Sequence, residues 1–350
     1  MKLKSRCIPF GSLPYTDIES TTRMVAKLFE RFPYDVMLPN IAPDDSLAYR
    51  TLAGIPGIKF KEGKILIKTT SNIYKQKSID LDKAFNNPSL ENLDSFAIES
   101  PFIEKFFDII KKFKSPNAAI NLLGPFTISQ ILNNVAEEQM LADKSYRKLF
   151  IQAVCVKALW AVEAIKLVSP ETTPVVILEE PSLAKLGDLR RENEDITTEL
   201  VTTLLTRVIE KIKATGAIVA VQCFEKCDWT IPINAGADIL SFDAYNNPNN
   251  LCIIPEQIVE FLDRGGKINW GIIPTKSDAM LKVLTIDEIA SRLFSTMQGL
   301  VLAGVPAAKV FNSALVSTQG NTDKLQIIFA EKALILATQL AKRIPVKSES

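Results

Sequence analysis

Short apolar runs alternate with longer amphipathic stretches along nearly the whole chain, and this alternation is the feature that most restricts its fold. The eight runs read CIPFG, DVMLP, AAINLLG, PVVILEE, AIVAVQC, ADILSFD, INWGII and KVFNSALV. A run that is apolar at nearly every position is typical of a parallel strand covered on both faces. Most stretches between the runs carry apolar residues at helical spacing, as in YRKLFIQAVCVKALWAVEAIKLV. Eight strands alternating with helices predict a (β/α)8 TIM barrel.

The chain is longer than such a barrel needs. It has 350 residues, whereas about 250 are typical of the fold. The surplus falls between the second and third runs, in an insertion of about residues 54–115. This insertion contains GIKFKEGKILIKTT, whose KEGK centre between alternating residues predicts a β-hairpin. No linker-like composition separates the insertion from the rest, so we predict one domain, residues 1–350.

Composition and charge narrow the classes of function. The chain has 41 basic and 40 acidic residues and no basic run, so neither nucleic acid nor an anionic membrane is a predicted partner. The N-terminus lacks the apolar core of a signal peptide, and no stretch approaches the roughly 20 apolar residues of a membrane span. We therefore expect a cytoplasmic protein whose partner is a small molecule.

The chain contains no histidine. This excludes His-dependent catalytic triads, histidine general bases and every zinc site with a histidine ligand, because no other side chain supplies a neutral imidazole nitrogen.

The five cysteines are widely spaced, and we expect them to be reduced thiols. Cys223 and Cys227 lie close together at the end of the fifth run. Three interpretations remain open for them. They are packed thiols at a strand end and a helix start, or they form a metal site with Asp243, or Cys223 is a reactive nucleophile or redox group.

Polar residues at the C-terminal ends of the predicted strands form the candidate site, because TIM-barrel active sites lie at that end. Strand alternation directs one of Glu179 and Glu180 into the bore and the other toward the helices, where a helix cap or a salt bridge is expected. Ser12, in FGSLP, contacts a substrate carboxylate or simply forms a turn. The predicted catalytic residues are Asp243 and Cys223. The predicted substrate contacts are Ser12, Glu179, Glu180, Gln222 and Gln319.

Other conspicuous residues have structural interpretations that we favour. Thr127, in GPFTIS, predicts a helix N-cap. Trp229 and Trp270 predict core packing. Arg190 and Arg191, in DLRRENED, predict a solvated loop, with anion binding by one of them as the alternative.

Six segments together resemble a known family. FGSLPYTD, LLGPFTIS, LEEPSLAKLG, VQCFEKCDW, GADILSFDAYN and INWGIIPT are similar, in order and rough spacing, to the C-terminal catalytic half of cobalamin-independent methionine synthase. That family shares a superfamily of barrels with uroporphyrinogen decarboxylase. The resemblance covers nearly the whole chain. It implies a methyltransferase-like protein that acts on a small thiol or amino-acid-like substrate, with a methyl donor that is a molecule or a protein. It also implies that Glu179 holds a substrate amine.

The resemblance includes a zinc site, and this chain departs from it. In the family, zinc activates the substrate thiol and is held by a His, a Cys, an acidic residue and a second Cys. The matching positions here are Gln222, Phe224, Asp243 and Gln319. Three of the four ligands are absent, so we predict neither zinc nor any other cofactor.

Three hypotheses for function follow. The first is a methyltransferase-like enzyme, although a free alkyl thiol with a pKa of about 8.5 is a weak nucleophile without a metal. The second is a metal-independent decarboxylase-like enzyme, in which an acidic residue and basic side chains surround an anionic substrate. The third is a non-catalytic paralogue that binds a ligand.

Overall fold

The computed structural model describes residues 3–69, 72–134 and 140–346. Strands and helices are numbered separately in chain order. The strands are Ile58–Lys61 (β1), Lys64–Ile67 (β2), Asn117–Leu123 (β3), Leu132–Asn134 (β4), Thr173–Glu179 (β5), Ile218–Cys223 (β6), Ile239–Asp243 (β7), Lys267–Ile273 (β8) and Ala314–Thr318 (β9). The α-helices are Ile18–Phe29 (α1), Leu47–Leu52 (α2), Asn72–Asn86 (α3), Leu90–Leu93 (α4), Ile103–Phe113 (α5), Pro125–Ile131 (α6), Lys144–Val168 (α7), Leu186–Glu192 (α8), Thr198–Lys213 (α9), Thr230–Asn234 (α10), Pro255–Asp263 (α11), Asp278–Val283 (α12), Ile286–Leu302 (α13), Ala307–Ser313 (α14) and Ile327–Arg343 (α15).

A curled sheet of six parallel strands forms the centre of this α/β fold, in the order β3-β5-β6-β7-β8-β9. The third to seventh apolar runs become β3, β5, β6, β7 and β8, as predicted. Nearly every residue of these strands is buried, which is why their sequences are continuously apolar instead of alternating. The predicted helices α7, α9, α11 and α13 connect or flank the strands.

The first two apolar runs do not form strands of their own. Single parallel bridges connect them to each other and to the two edges of the sheet: Cys7 with Val316, Ser12 with Met37, and Tyr34 with Ala119. Backbone hydrogen bonds accompany the bridges, including Ile8 N–H to the Val316 carbonyl at 3.0 Å and Ala119 N–H to the Pro33 carbonyl at 2.9 Å. Residues 7–12 therefore lie beside β9, and residues 34–37 lie beside β3.

The eighth run was predicted as one strand, and this was wrong for its first half. Residues before Ala314 belong to helix α14, and the strand β9 begins only at Ala314, which pairs with Ile268. The two alanines at its start favour the helix. The apolar residues of a short buried helix and of the following strand merged into one run.

The insertion contains the predicted hairpin. β1 and β2 pair antiparallel, with Ile58 opposite Ile67 and Lys61 opposite Lys64. Glu62 and Gly63 have φ of 49° and 73°, which suits a tight two-residue turn. β2 also pairs in parallel with β4, where Ile65 is opposite Leu132, so the hairpin is joined to the segment that follows α6.

No helix in residues 3–69, 72–134 and 140–346 is long and apolar enough to cross a membrane.

Candidate functional site in the bore

Four polar side chains form one line across the curled sheet. Glu179 on β5 is in register with Gln222 on β6, Gln222 with Ser241 on β7, and Ser241 with Asn269 on β8. Residues in register project from the same face of a sheet. All four are at least nine-tenths buried. We call these four, together with Asn121 on β3, the polar row.

The polar row lies on the inner face of the sheet. The neighbouring residues in the strands point the opposite way, and their contacts are with the helical layer. Glu180 contacts the start of α6, and Phe242 packs edge-on against Trp229, just before α10, with ring centroids 6.1 Å apart. Since the strand faces alternate, the polar row must face the interior of the curl.

Hydrogen bonds join the polar row into two groups, Asn121 with Glu179 and Gln222 with Ser241 and Asn269, but leave some of its polar atoms unpaired. Asn121 Nδ2 donates to Glu179 Oε1 at 2.8 Å. Asn269 Nδ2 donates to Ser241 Oγ at 2.8 Å, and Ser241 Oγ donates to Gln222 Oε1 at 3.0 Å. Within the described residues, Asn121 Oδ1, Gln222 Nε2 and Asn269 Oδ1 are buried and have no partner. Such atoms are costly to bury unpaired, so a water molecule or a ligand that paired with them would lower this cost.

Glu179 is the titratable member of the polar row. Burial raises the pKa of its carboxyl from an ordinary 4.5 to about 7, and the hydrogen bond from Asn121 opposes this rise. Among the described residues, Asn121 is the only side chain that donates to its carboxylate. A carboxyl group with a pKa near 7 can hold a cationic amine or transfer a proton.

The adjacent Glu180 has a different role. It is fully buried on the outer face and accepts three hydrogen bonds at the start of α6, from Phe126 N, Thr127 N and Thr127 Oγ, at 3.0, 2.7 and 2.6 Å. Gly124 makes this possible, because a Cβ there would lie 2.1 Å from Glu180 Oε1. Glu180 therefore caps the helix α6 and does not make the predicted substrate contact. Thr127 was predicted to be the N-cap, but it instead donates to the Glu180 carboxylate that caps the helix.

At the mouth of the curl, two positions of the resembled zinc site are hydrogen-bonded to each other. Gln319 Nε2 donates to Asp243 Oδ2 at 2.9 Å. Asn246 donates to both Asp243 oxygens, from its backbone N at 2.9 Å and its Nδ2 at 2.7 Å. Gln319 Oε1 in turn accepts from Thr275 N at 3.4 Å. The Asp243 carboxylate thus accepts its hydrogen bonds from amide groups of the chain itself.

An aromatic pair occupies a third position of that site. The ring centroids of Phe10 and Phe224 are 5.6 Å apart. Phe10 belongs to the segment beside β9, whereas Phe224 directly follows β6, three strands away in the sheet order. This contact is possible only because the sheet curls, and it places two rings beyond the polar row, at the C-terminal end of the strands.

Ser12 does not offer its donors to the bore. Its Oγ donates to Asp323 Oδ1 at 2.7 Å, and its backbone N donates to Asn321 Oδ1 at 3.2 Å. Gly11 has a φ of 87°, and a Cβ there would lie 2.2 Å from the same Asn321 oxygen. The turn interpretation of FGSLP fits this geometry, because the segment is tied to the loop after β9.

Cys223 and Cys227 approach each other outside the bore. Cys223 follows Gln222 in β6 and therefore points to the opposite face. A hydrogen bond from Cys227 lowers the pKa of Cys223, whereas burial raises the pKa of Cys227 well above its ordinary value. Within the described part of the chain, no three Cys, Asp or Glu residues are grouped so that they could hold a metal ion. Cys223, Cys227 and Asp243 thus do not form the alternative metal site.

The sequence interpretation missed Asn121, Ser241 and Asn269. Each is a small polar residue inside an apolar run, in AAINLLG, ADILSFD and INWGII. A polar side chain within a doubly covered strand must find a partner, and this signal was present. Trp229 and Trp270 are buried in the core, as expected.

Comparisons with known proteins add little. No family model matches this sequence, and no curated protein does so. Among solved structures, the chain is similar to a native Bacteroidetes-affiliated GH5 cellulase linked with a polysaccharide utilization locus. The two share 9% identity at a TM-score of 0.42, over 85% of this chain and 90% of that chain.

Proposed function

We propose that this protein is a methionine-synthase-like barrel that binds a small amino-acid-like molecule in its bore without the zinc of that family. The observation that carries the proposal is the polar row, a buried belt with one carboxyl group and three unpaired polar atoms. Binding is the primary function in this proposal, which favours the non-catalytic paralogue among the three hypotheses.

The unpaired groups suit a zwitterion. An ammonium group has three donors and no acceptor, and Glu179, Asn121 Oδ1 and Asn269 Oδ1 are all acceptors. A carboxylate needs donors, and Gln222 Nε2 is a free donor on the strand next to that of Glu179. Burying a bound ammonium beside Glu179 would also favour the ionised carboxylate and lower its pKa.

The replaced zinc positions argue against thiol activation. Asp243 already accepts three hydrogen bonds, Gln319 is one of its donors, and Phe224 brings a ring in place of a ligand. A thiol substrate in this bore would stay protonated near neutral pH.

The proposal also covers the number of strands in the barrel and the place of the insertion. We propose that residues 7–12 and 34–37 are the first and second strands of an eight-stranded barrel and that the insertion of about residues 54–115 belongs to one domain. The bridges to Val316 and Ala119 support this, because they occupy both edges of the six-stranded sheet.

The test is a thermal melt with and without L-methionine or L-homocysteine at millimolar concentration. A ligand that binds only the folded state raises the melting temperature with its concentration. We expect such a rise, and we expect Glu179→Gln to remove most of it. Glu199→Gln, on the exposed first turn of α9, is the matched control and should retain the rise. No rise with any amine-bearing ligand would refute the proposal.

Elemental analysis tests the zinc part separately. The purified protein should contain no stoichiometric zinc, and the triple variant Gln222→His, Phe224→Cys, Gln319→Cys should gain zinc affinity. One tightly bound zinc per wild-type chain would contradict the proposal. A triple variant without any gain would show that the alignment with the family is wrong.

A proton-transfer enzyme of the decarboxylase-like class is the second candidate. The observation that favours it is the pKa of Glu179, about 7, which is suited to general acid–base catalysis. Decarboxylation of a bound carboxylate that depends on Glu179 would support this candidate, and binding without any turnover supports the first.

A further inference from the structure

A second concave site lies on the helical side of the polar row. It is a cavity of about 420 Å³ between the segment that follows β5, the loop between β6 and α10, and the loop before α11. Leu183, Leu186 and Ile253 contribute apolar walls. Polar groups come from Arg190, Thr198, Lys226, Cys227, Asp228 and Asn250. A cavity of this volume is in the range of small-molecule sites.

Two side chains of this cavity have buried polar atoms that the rest of the described chain leaves unpaired. Asn250 is 5% exposed, and both its Nδ2 and its Oδ1 lack a hydrogen-bond partner. Trp229 is 1% exposed, and its indole N–H is likewise unpaired. A whole side-chain amide without any partner is rare in a folded protein, and it points to a guest that supplies one donor and one acceptor side by side.

The rim of the cavity is basic. Arg190 and Lys226 are exposed and line it. Arg190 Nη1 donates to Thr198 Oγ at 3.1 Å and faces Glu199, so it is partly held in place. The carboxylate that also lines the cavity, Asp228, accepts from the N–H and hydroxyl of Thr230 at 3.0 and 2.6 Å. The rim therefore offers two cations and one carboxylate that is already hydrogen-bonded.

We propose that this cavity binds a nucleoside monophosphate. The Asn250 amide matches a base edge that presents a donor beside an acceptor, as Asn does with adenine. The apolar walls cover the ring faces, and Arg190 and Lys226 contact the phosphate. This site is separate from the polar row and does not depend on the function proposed for it, since Trp229 packs against Phe242 on the outer face of the sheet.

Isothermal titration calorimetry with AMP tests this proposal. AMP should bind, and adenosine and ribose 5-phosphate should each bind at least about tenfold more weakly, because each lacks one of the two recognised groups. Rising salt concentration should weaken the binding of AMP more than the binding of adenosine. Absence of AMP binding, or ribose 5-phosphate binding as tightly as AMP, would overturn the proposal.

Variants identify the site. Asn250→Leu should weaken the binding of AMP by about tenfold or more. The ligand-free variant should melt no lower than the wild type, because the change removes two unpaired polar atoms. Lys226→Glu, on the exposed rim, should also weaken AMP and is a second route if Asn250→Leu does not fold. Arg190→Ala should weaken AMP binding, because Arg190 lines the cavity. Arg191→Ala is its matched control and should leave AMP binding unchanged, because Arg191 pairs with Asp188 and does not line the cavity. Equal AMP affinity in Asn250→Leu, Lys226→Glu and the wild type would refute the assignment.

Discussion

Two buried polar groups of this molecule differ in how completely they are paired. The first, which we call the Arg50 cluster, consists of Asp35, Asp45, Arg50 and Ser100 between the second apolar run and the insertion. All three guanidinium nitrogens of Arg50 donate there, at 2.6 to 3.0 Å, to the two carboxylates, to Ser100 Oγ and to two backbone carbonyls. The second is the polar row, which leaves three buried atoms without a partner among the described residues.

The difference separates structure from function. A fully paired buried cluster fixes the position of the chain segments that it joins and has no group left for a guest. Ser100 Oγ even donates to the remaining oxygen of Asp35 at 2.8 Å. A partly paired row lowers stability in the empty protein, and it persists where a ligand or water supplies the missing partners. We therefore assign the Arg50 cluster to folding and the polar row to binding.

Breaking the Arg50 cluster should change the free energy of unfolding more than any other substitution considered below. Arg50→Met leaves two buried carboxylates without their cation and should lower the free energy of unfolding by about 3 to 5 kcal/mol. Urea denaturation measures this change. Arg23→Met is the control, because Arg23 forms an exposed ion pair with Glu19 and should change stability by less than about 0.5 kcal/mol. A small loss for Arg50→Met would show that the cluster is not structural.

Glu179→Gln should instead stabilise the empty protein, by about 3 kcal/mol at pH 7.5. Because the pKa of Glu179 is raised from 4.5 to about 7, its stabilising contribution is complete below pH 4.5 and is lost as the pH rises to about 7. The variant's free energy of unfolding, measured by urea denaturation, should therefore exceed that of the wild type by an amount that grows between pH 4.5 and 7 and stays constant above pH 7.

The same substitution one residue later should have the opposite sign. Burial raises the pKa of Glu180 to about 7 as well, so Glu180→Gln also removes a buried charge. It does so, however, by placing an amide N–H2 against the three donors at the start of α6, and the buried donors left unpaired should make the net cost about 1 to 3 kcal/mol. If both variants were destabilised equally, Glu179 would be a structural residue like Glu180.

Removing a ring at the mouth of the curl should make the polar row more accessible to a ligand. Phe224→Ala removes one ring of the pair above the polar row, so we expect a larger methionine-dependent rise in melting temperature, at a cost of about 1 kcal/mol in stability. Phe294→Ala is a matched control, because Phe294 is also partly exposed and forms a tilted pair, with Phe311, remote from the mouth. A rise in melting temperature that is the same in both variants would mean that the ligand does not enter through this opening.

The smallest effect on stability is expected for Gln222→Met. The variant loses the hydrogen bond from Ser241 but also removes the unpaired Nε2, so the two changes should cancel to within about 1 kcal/mol. The methionine-dependent shift should nevertheless decrease, because the free donor for a carboxylate is gone. An unchanged shift would remove Gln222 from the proposed contacts.

The strands of the central sheet were predictable because burial on both faces forces a continuous apolar run. The opposite directions of Glu179 and Glu180 also followed from strand alternation alone. The role of Glu180 did not, since it depends on the close approach of Gly124, fifty-six positions earlier in the chain. Local patterns contain no information on which distant backbone a side chain meets.

The residues at the mouth of the curl show even more clearly what local sequence patterns cannot predict. Alignment placed Gln319 and Asp243 at positions of the resembled zinc site, but their hydrogen bond and the contact of Phe10 with Phe224 depend on the curl of the sheet. The sequence could show that ligands were missing and not what replaced them. Likewise, the run that contains Phe311 merged a helix and a strand, because both are buried and apolar.

A crystal structure of the protein grown with L-methionine tests the central claim most directly. We predict density for the amino acid in the bore, with its amine within hydrogen-bonding distance of the Glu179 carboxylate and its carboxylate close to Gln222 Nε2. A bore that contains only protein side chains at saturating ligand, or a metal ion bound to Asp243, would contradict the assignment of the polar row to binding.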